Sequence, residues 1–222
     1  MTGYRTLLLD LDDTLYPSTC GLWQAIGDRI LAFMTERLGI PADKADALRA
    51  EYYHAYGTTL NGLRIHFQVD PHDYLTFVHN VPVVDLLQPD PKLRTMLANL
   101  PQKRVIFTNA SHDHAERVIL RLGIENVIDQ VIDIIALDFQ NKPKPDAYKK
   151  ALSLAREPNP TACLIVDDRI VNLIPAKSLG MTTVLISDDQ THPQIDFCVS
   201  RISELSRVVP SLDVGLPSGE VG

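Results

Sequence analysis

Residues 6–15, TLLLDLDDTL, are the most informative segment for the fold. It opens with the apolar run Thr6–Leu9 and passes directly into an acidic segment that begins at Asp10. A short run that is apolar on both faces is typical of a strand buried inside a parallel sheet. Similar β-branched or Leu-rich runs follow at residues 105–107, 131–135, 163–166 and 182–186. These runs predict a parallel sheet of about five strands.

Helical patterns separate the apolar runs. Apolar residues recur at helical spacing in His112–Leu122, and Pro145–Ala155 begins with a proline suited to a first helical turn. Ile170–Leu179 is a third helix of this kind, and Asp90 is placed to cap a helix that begins at Pro91. Alternating strands and helices predict an α/β fold built on a Rossmann-like, doubly wound parallel sheet.

One segment breaks this alternation. Roughly ninety residues lie between the first two strands, far more than the roughly 2–6 of an ordinary loop. Their patterns predict helices, at residues 20–38, 42–56, 63–67 and 71–79. We therefore predict an all-helical cap, residues 16–87, inserted after the first strand of a core formed by residues 1–15 and 88–210. Residues 211–222 are rich in Gly, Pro and Ser, and we expect a loose C-terminal tail there.

Composition limits the classes of partner. The chain has 222 residues and a formal net charge of −7, which argues against a nucleic acid polymer as the main partner because many backbone phosphates would have to be neutralised. No stretch approaches the ~18 apolar residues of a membrane span. The three cysteines are widely spaced and typical of reduced thiols. We therefore expect a cytoplasmic protein with no membrane partner, and either a monomer or a homodimer.

Polar side chains follow four of the predicted strands. In chain order they are Asp10, then Thr108 and Asn109, then Lys142, and finally Asp167 and Asp168 with Asn172. Ligands of an open parallel sheet bind outside the carboxyl ends of its strands, so these side chains should converge at one edge. Each motif alone has an ordinary explanation as a turn or a helix cap. The four in this order indicate a single site.

This ordered set resembles the haloacid dehalogenase-like hydrolase superfamily. The matches are Asp10-x-Asp12-x-Thr14 to the first motif, Thr108 to the second, Lys142 to the third, and Asp167-Asp168-x-x-x-Asn172 to a variant of the fourth. The resemblance extends to about Ser187. It implies the core and inserted cap described above, Mg²⁺ as the cofactor, and a small phosphorylated metabolite as the substrate.

The resemblance also implies the roles of the acidic residues. Asp10 would be the nucleophile, since a carboxylate is ionised at neutral pH and needs no base to attack phosphorus. Mg²⁺ prefers oxygen ligands, and Asp10, the backbone carbonyl of Asp12 and the Asp168 carboxylate would supply them. Asp167 aligns with a position that is often Gly in the family, so it would support the ligands from behind. Asn172 would orient Asp168 or a water on the metal.

The remaining matched residues would bind the phosphoryl group. Lys142 would pair with Asp10 and with the phosphoryl oxygens, while Thr108 and Asn109 would hold the other oxygens. Lys144 is the alternative to Lys142. The first lysine of Lys-Pro-x-Pro is the one that matches the family, and this favours Lys142.

Asp12 decides between reaction classes. Its side chain would protonate the leaving alkoxide and then activate the water that hydrolyses the aspartyl-phosphate, a dual role that calls for a pKa raised by burial and neighbouring charge. Dehalogenating members lack an acid at this position because halide leaves without a proton. The sequence thus favours phosphomonoester hydrolysis, with a phosphomutase and a catalytically silent binding module as alternatives.

The cap segment resembles that of the pyrimidine 5′-nucleotidase group. The resemblance rests mainly on residues 51–57 and 60–63 and implies hydrolysis of nucleoside 5′-monophosphates such as UMP or CMP. A sugar phosphate or pyridoxal phosphate is the alternative substrate. We take Tyr52 and Arg64 as the candidate substrate contacts in the cap, and we expect Trp23 to lie in the core.

Overall fold

The fold is centred on a six-stranded, all-parallel sheet in the order β3-β2-β1-β4-β5-β6. A computed structural model describes residues 3–189, 191–209 and 212. The strands are β1 (Thr6–Leu9), β2 (Lys103–Phe107), β3 (Gln130–Ile132), β4 (Cys163–Asp167), β5 (Thr182–Ile186) and β6 (Phe197–Val199). The predicted fold class is confirmed, and the prediction of about five strands is one short.

The sequence pattern does not predict the sixth strand, for a physical reason. Strand β6 has only three residues, two of which are partly exposed, and it lies at the edge of the sheet beyond β5. A short edge strand lacks the continuous apolar run that marks a strand buried on both faces. Strand β3 also ends earlier than predicted, at Ile132, and Asp133 begins a turn there.

Helices cover both faces of the sheet. In β1, Leu7 and Leu9 pack into one hydrophobic cluster and Leu8 into the other, as expected for a strand whose side chains alternate between faces. The first cluster includes residues of α6 (Pro91–Asn99), α7 (His112–Leu122) and α10 (Leu205–Val208). The second includes residues of α8 (Pro145–Ala155) and α9 (Ile170–Ser178). The sheet is thus doubly wound.

The segment between β1 and α6 is helical. Its helices are α1 (Leu22–Ala32), which continues into a π-helical turn at Phe33–Arg37, α2 (Ala42–Tyr56), α3 (Thr59–Phe67), α4 (Pro71–Val78) and α5 (Val83–Leu86). Residues 16–87 contain no strand, as the sequence predicts. We call residues 16–87 the insertion. That it forms a cap domain distinct from a core of residues 1–15 and 88–210 stays a prediction.

Helix ends follow local chemistry. Gly39 and Gly57 end their helical segments in the left-handed region, at φ values of 65° and 81°. The Asp90 side chain accepts hydrogen bonds from the backbone N–H groups of Lys92 and Leu93 and so caps α6, as predicted. Thr58 caps α3 in the same way, and this helix therefore begins four residues before the predicted start at residue 63.

The chain ends are only partly described. Of the tail predicted at residues 211–222, the structure describes Leu212, which is buried and accepts a hydrogen bond from the Gln102 side chain. The rest of that prediction lies outside the described residues. Among the residues described, no helix combines the length and apolar character needed to cross a bilayer.

Candidate active site

Asp10, Lys142 and Asp167 meet in one buried cluster at the carboxyl ends of the strands. The Lys142 Nζ lies 2.6 Å from Asp10 Oδ1 and 2.7 Å from Asp167 Oδ2. Asp10 directly follows β1, Asp167 ends β4, and Lys142 lies on the loop after β3. Thr14 donates to the second oxygen of Asp10 and accepts from the backbone N–H of Asp168. Residues from Asp10 to Asp168, 158 positions apart in sequence, therefore form one continuous network.

The electrostatics of this cluster follow from burial. Desolvation raises the pKa of Asp10 to about 7, although Lys142 opposes the shift. Burial raises the pKa of Asp168 to about 8, with added repulsion from Asp10 and Asp167. Burial alone would lower the pKa of Lys142, but the two carboxylates outweigh it and raise that pKa well above its usual range. The lysine is therefore a permanent cation.

The acidic cluster fits a hard divalent cation. Asp10, Asp167 and Asp168 offer carboxylate oxygens that all lie within 4.8 Å of one another. Asp167 is already engaged by Lys142 and Asn172. Asp10 and Asp168 are carboxylates whose ionised forms are disfavoured by burial and mutual repulsion, a penalty that a bound cation would relieve. Oxygen-only donors are the set that Mg²⁺ prefers.

Asp12 is held by two donors on a single oxygen. Its Oδ1 accepts from the Tyr16 hydroxyl at 2.5 Å and from His114 Nε2 at 2.9 Å. Burial raises the pKa of Asp12, but His114 and the hydrogen bonds from His114 and Tyr16 outweigh it, so the net shift is downward. The predicted raised pKa is thus wrong for the protein without substrate, because two donors stabilise the ionised carboxylate.

His114 is itself fixed from behind. It is fully buried, and its ring stacks on that of His79 with centroids 4.5 Å apart. His79 comes from the end of α4 in the insertion, and its Nδ1 is hydrogen-bonded to the Ser111 hydroxyl. Burial lowers the pKa of His79 to about 3, so this imidazole is neutral at physiological pH. The two stacked rings place His114 Nε2 against Asp12.

Thr108 and Asn109 lie at the end of β2, as predicted. Both line the same cavity as Asp10. The Thr108 hydroxyl is buried and accepts from the backbone N–H of Ala110. The Asn109 side chain accepts from the backbone N–H of Lys142 at 2.9 Å and donates to its carbonyl at 3.0 Å. The amide of Asn109 is thus occupied in holding Lys142.

Asn172 has a different partner from the one expected. Its side-chain amide donates to both carboxylate oxygens of Asp167, at 2.9 and 3.1 Å, and not to Asp168. The expectation that Asn172 orients Asp168 is therefore corrected. Asp167 lies at the buried end of β4 and turns toward Lys142, so Asn172 and Asp167 together fix the lysine.

A cavity of about 350 Å³ lies between this cluster and the insertion. Its floor includes Asp10, Asp12, Thr108, Lys142 and Asp168. Its roof comes from the insertion and includes Trp23, Ile26, Arg49, Tyr53, Tyr74 and Leu75. The expectation that Trp23 belongs to the core is wrong, since it is 40% exposed and faces this cavity.

Two predicted substrate contacts lie elsewhere. Tyr52 is buried beneath Gly62, where an added Cβ would come within 2.3 Å of the tyrosine ring, and it does not line the cavity. Arg64 stacks on the Phe139 ring at 4.0 Å and donates to Asn61, also outside the cavity lining. The phase of helix α2 turns Tyr53, the next residue, into the cavity instead.

Arg169 and Arg49 add positive charge to the cavity wall. Arg169 follows Asp168 and places its guanidinium 4.4 Å from the centre of the Tyr53 ring. The Arg49 guanidinium packs against Gly27, where a Cβ would meet it at 3.2 Å. Neither arginine belongs to the family motifs, and helix phase alone could have indicated Arg49, four residues before Tyr53 on α2.

Comparison with known proteins places the chain in a family. The family profile of haloacid dehalogenase-like hydrolases matches residues 4–180. The chain belongs to this family. It is a haloacid dehalogenase-like hydrolase, and the resemblance inferred from the ordered motifs is confirmed.

One curated relative is Phosphate metabolism protein 8 of Saccharomyces cerevisiae. The two chains are 31% identical over 202 residues, which covers 84% of this chain and 63% of the yeast protein. The chain therefore spans less than two thirds of the length of that relative.

Solved structures share the fold. A HAD phosphatase from Thermococcus onnurineus matches with a TM-score of 0.65 and 20% identity, covering 95% of this chain and 100% of that one. An L-2-haloacid dehalogenase from Xanthobacter autotrophicus matches with a TM-score of 0.59 and 18% identity, covering 92% of this chain and 97% of that one. At these identities the likeness establishes the fold, and the reaction has to be argued from the site.

Proposed function

We propose that the protein is a Mg²⁺-dependent phosphomonoester hydrolase in which Asp10 is the nucleophile. The observation that carries this proposal is the contact of the Lys142 ammonium with Asp10 Oδ1 at 2.6 Å, with Asp168 beside them. The Lys142 ammonium opposes the rise in the pKa of Asp10 that burial causes, and it provides positive charge for phosphoryl oxygens. A bound Mg²⁺ would shield the charge of the phosphate from that of Asp10. Asp10, Asp168 and the carbonyl of Asp12 would hold the ion.

The reaction would proceed in two displacements. Asp10 attacks phosphorus, the bond from phosphorus to the ester oxygen breaks, and the leaving alkoxide takes a proton from Asp12. Water then attacks the aspartyl-phosphate, Asp12 takes its proton, and inorganic phosphate leaves with Asp10 restored. Lys142 and Thr108 bind the phosphoryl oxygens in both steps.

The proton for the first step depends on substrate binding. Asp12 uses Oδ1 for Tyr16 and His114, and no hydrogen bond occupies its Oδ2 among the described residues. Anionic phosphoryl oxygens next to Oδ2 would disfavour the ionised carboxylate and raise the pKa of Asp12 in the complex. An acid at this position serves an alkoxide leaving group, whereas halide leaves without a proton, and this supports phosphatase over dehalogenase chemistry.

A pyrimidine nucleoside 5′-monophosphate is the substrate class we propose. The cavity volume of about 350 Å³ lies within the range of small-ligand sites. The Arg169 guanidinium lies over the Tyr53 ring in the cavity wall, and aromatic rings and guanidinium planes are the groups on which a base stacks. Arg49 offers hydrogen-bond donors, and a pyrimidine such as uracil or cytosine carries carbonyl acceptors.

A metabolite panel tests the proposed function. We expect phosphate release from UMP or CMP with Mg²⁺, at a kcat/KM above that for AMP, glucose phosphates and pyridoxal phosphate, and loss of activity with EDTA. A higher kcat/KM for a sugar phosphate or pyridoxal phosphate than for every nucleotide would show that the proposed substrate class is wrong. Transfer of the phosphoryl group within a sugar phosphate would indicate a phosphomutase, and binding without turnover a silent module.

The variant Arg49→Gln tests recognition of the nucleoside leaving group separately from recognition of the phosphate. Loss of the Arg49 charge should raise KM for UMP by about 10- to 100-fold, since one charged hydrogen bond contributes about 1.5–3 kcal/mol, and should leave nitrophenyl phosphate turnover unchanged. Arg94→Gln is the matched control, because Arg94 is exposed on α6 away from the cavity lining. Equal KM values for the two variants would remove Arg49 from substrate recognition.

A further inference from the structure

The segment between α2 and α3 contacts the loop that carries Lys142. Residues 57–62, GTTLNG, belong to the part of the chain that the sequence assigns to substrate choice. In the structure Gly57 and Asn61 lie against residues 139–142. This contact joins the insertion to the loop after β3. Gly57, Asn61 and Asn141 do not line the substrate cavity, whereas residues 58–60 between Gly57 and Asn61 do.

Asn61 makes the central contacts. Its Nδ2 donates to the Phe139 carbonyl at 3.0 Å and to Asn141 Oδ1 at 2.6 Å. Asn141 is fully buried, and its own Nδ2 donates to the Lys142 carbonyl at 2.7 Å. Arg64 donates to Asn61 Oδ1 and stacks on Phe139, so every polar atom of the Asn61 side chain is used.

Gly57 closes the contact from the other side. A Cβ at this position would lie 2.0 Å from Asn141 Nδ2 and 3.2 Å from the Lys142 carbonyl oxygen. No side chain fits between the end of α2 and the Asn141 amide. Glycine is thus required at position 57 by close approach as well as by its left-handed φ of 81°.

We propose that Asn61, Asn141 and Gly57 are positioning residues that place the Lys142 ammonium on Asp10. This inference rests on the proposed function of Lys142. Asn109, at the end of β2, holds the Lys142 backbone. Asn141, on the same loop as Lys142, holds the same carbonyl and is itself fixed by Asn61 of the insertion. A lysine side chain has many rotamers, and each of them places the ammonium relative to the backbone. A fixed backbone therefore restricts where the ammonium can lie. The insertion thereby sets the geometry of the phosphoryl site as well as that of the leaving group.

Two variants that touch neither the cavity nor Asp10 test this proposal. Asn61→Ala removes both donors to the loop, and Gly57→Ala pushes a methyl group against Asn141. We expect kcat to fall about 10- to 100-fold in each, because a misplacement of about 1 Å costs this much, while KM changes less than about threefold. We also expect faster hydrogen–deuterium exchange in peptides covering residues 140–144, with the sheet peptides unchanged.

Gly123→Ala is the matched control for Gly57→Ala. Gly123 has a φ of 74°, and an added Cβ there meets nothing within 4 Å. The variant Gly123→Ala therefore has the same kind of backbone strain as Gly57→Ala but not the steric clash. We expect wild-type kcat and exchange at 140–144 in this control. Wild-type kcat and exchange in both Asn61→Ala and Gly57→Ala, or an equal loss in Gly123→Ala, would overturn the proposal. Should the wild type hydrolyse no phosphoester, the proposed function fails, and unchanged exchange in the two variants would still refute the positioning role.

Discussion

At the scale of single residues, Asp12 is the most unusual group of the site. A nearby donor, Tyr16, and a donor distant in sequence, His114, share its Oδ1, and His114 is backed by the stacked ring of His79. The arrangement fixes the carboxylate in one orientation. Its Oδ2 takes no hydrogen bond from the described residues, and Asp12 lines the cavity, where a general acid and base would act.

Asp12→Asn tests this role through the leaving group. We expect release of an alcohol from an alkyl phosphate to slow by about 10²- to 10⁴-fold, whereas the first release of nitrophenol from nitrophenyl phosphate should slow much less, because nitrophenolate needs no proton. Rapid-quench kinetics would measure the first turnover of each substrate. Tyr16→Phe keeps the carboxylate and serves as the control. An equal first-turnover loss for the two leaving groups would contradict a proton-transfer role.

The sequence could predict the strand-end residues because topology alone brings them together. Asp10, Lys142 and Asp168 follow from the rule that parallel strands end at one edge of a sheet. The contact of His114 with Asp12 spans 102 residues and depends on the rotation of α7, which no local pattern encodes. Which of Tyr52 and Tyr53 faces the cavity likewise depends on the rotation of α2. The two side chains are about 100° apart around the helix axis, so a rotation of that size would exchange them.

At the scale of elements, the turn between β4 and α9 brings two carboxylates with different tasks to the site. Asp167 ends the strand and faces Lys142, whereas Asp168 lies past the strand and lines the cavity. The Asp167 carboxylate is engaged by Lys142 and Asn172, whereas the Asp168 carboxylate takes no side-chain hydrogen bond from the described residues. Asp168 is the one available to a metal.

Metal binding should depend on pH. Burial raises the pKa of Asp10 to about 7 and of Asp168 to about 8 in the metal-free protein. Because these folded-state values exceed the unfolded ones, the two groups contribute stability at low pH that is lost as pH rises from about 4 to about 8. Mg²⁺ binds the ionised form, so the increase in Tm on adding Mg²⁺ should be larger at about pH 8.5 than at about pH 6.

Thermal melts with and without Mg²⁺ would measure this difference. Asp168→Asn should lose most of the increment at both pH values, and Asp188→Asn, which changes an aspartate outside the cavity lining, should keep it. A Mg²⁺ increment that is the same at both pH values in the wild type would contradict the assignment of these carboxylates as metal ligands.

Element ends were less predictable than element types. The start of α3 depends on the Thr58 cap, and β6 on a three-residue pairing with β5. Both are set by a few hydrogen bonds, whereas the longer helices and the buried strands are set by many apolar contacts. The sequence pattern therefore predicts the sheet and the helical insertion better than their boundaries.

At the scale of the whole molecule, the insertion contacts the loops at the strand ends in two places. Arg169 packs on Tyr53 in the cavity wall, and Asn141 is hydrogen-bonded to Asn61 beyond the cavity lining. The sequence predicts a helical insertion after β1 but not these contacts, because they depend on how α2 and α3 pack onto the loops. In the proposed reaction the strand ends bind the phosphoryl group and the insertion contacts the leaving group.

The central claim is that Asp10 accepts the phosphoryl group, and mass spectrometry of acid-quenched enzyme tests it most directly. During turnover of UMP with Mg²⁺, the peptide that contains residue 10 should carry one added phosphoryl group, and the Asp10→Asn variant should show neither this adduct nor turnover. Turnover that persists in Asp10→Asn, or a phosphoryl group found on another residue, would contradict the account.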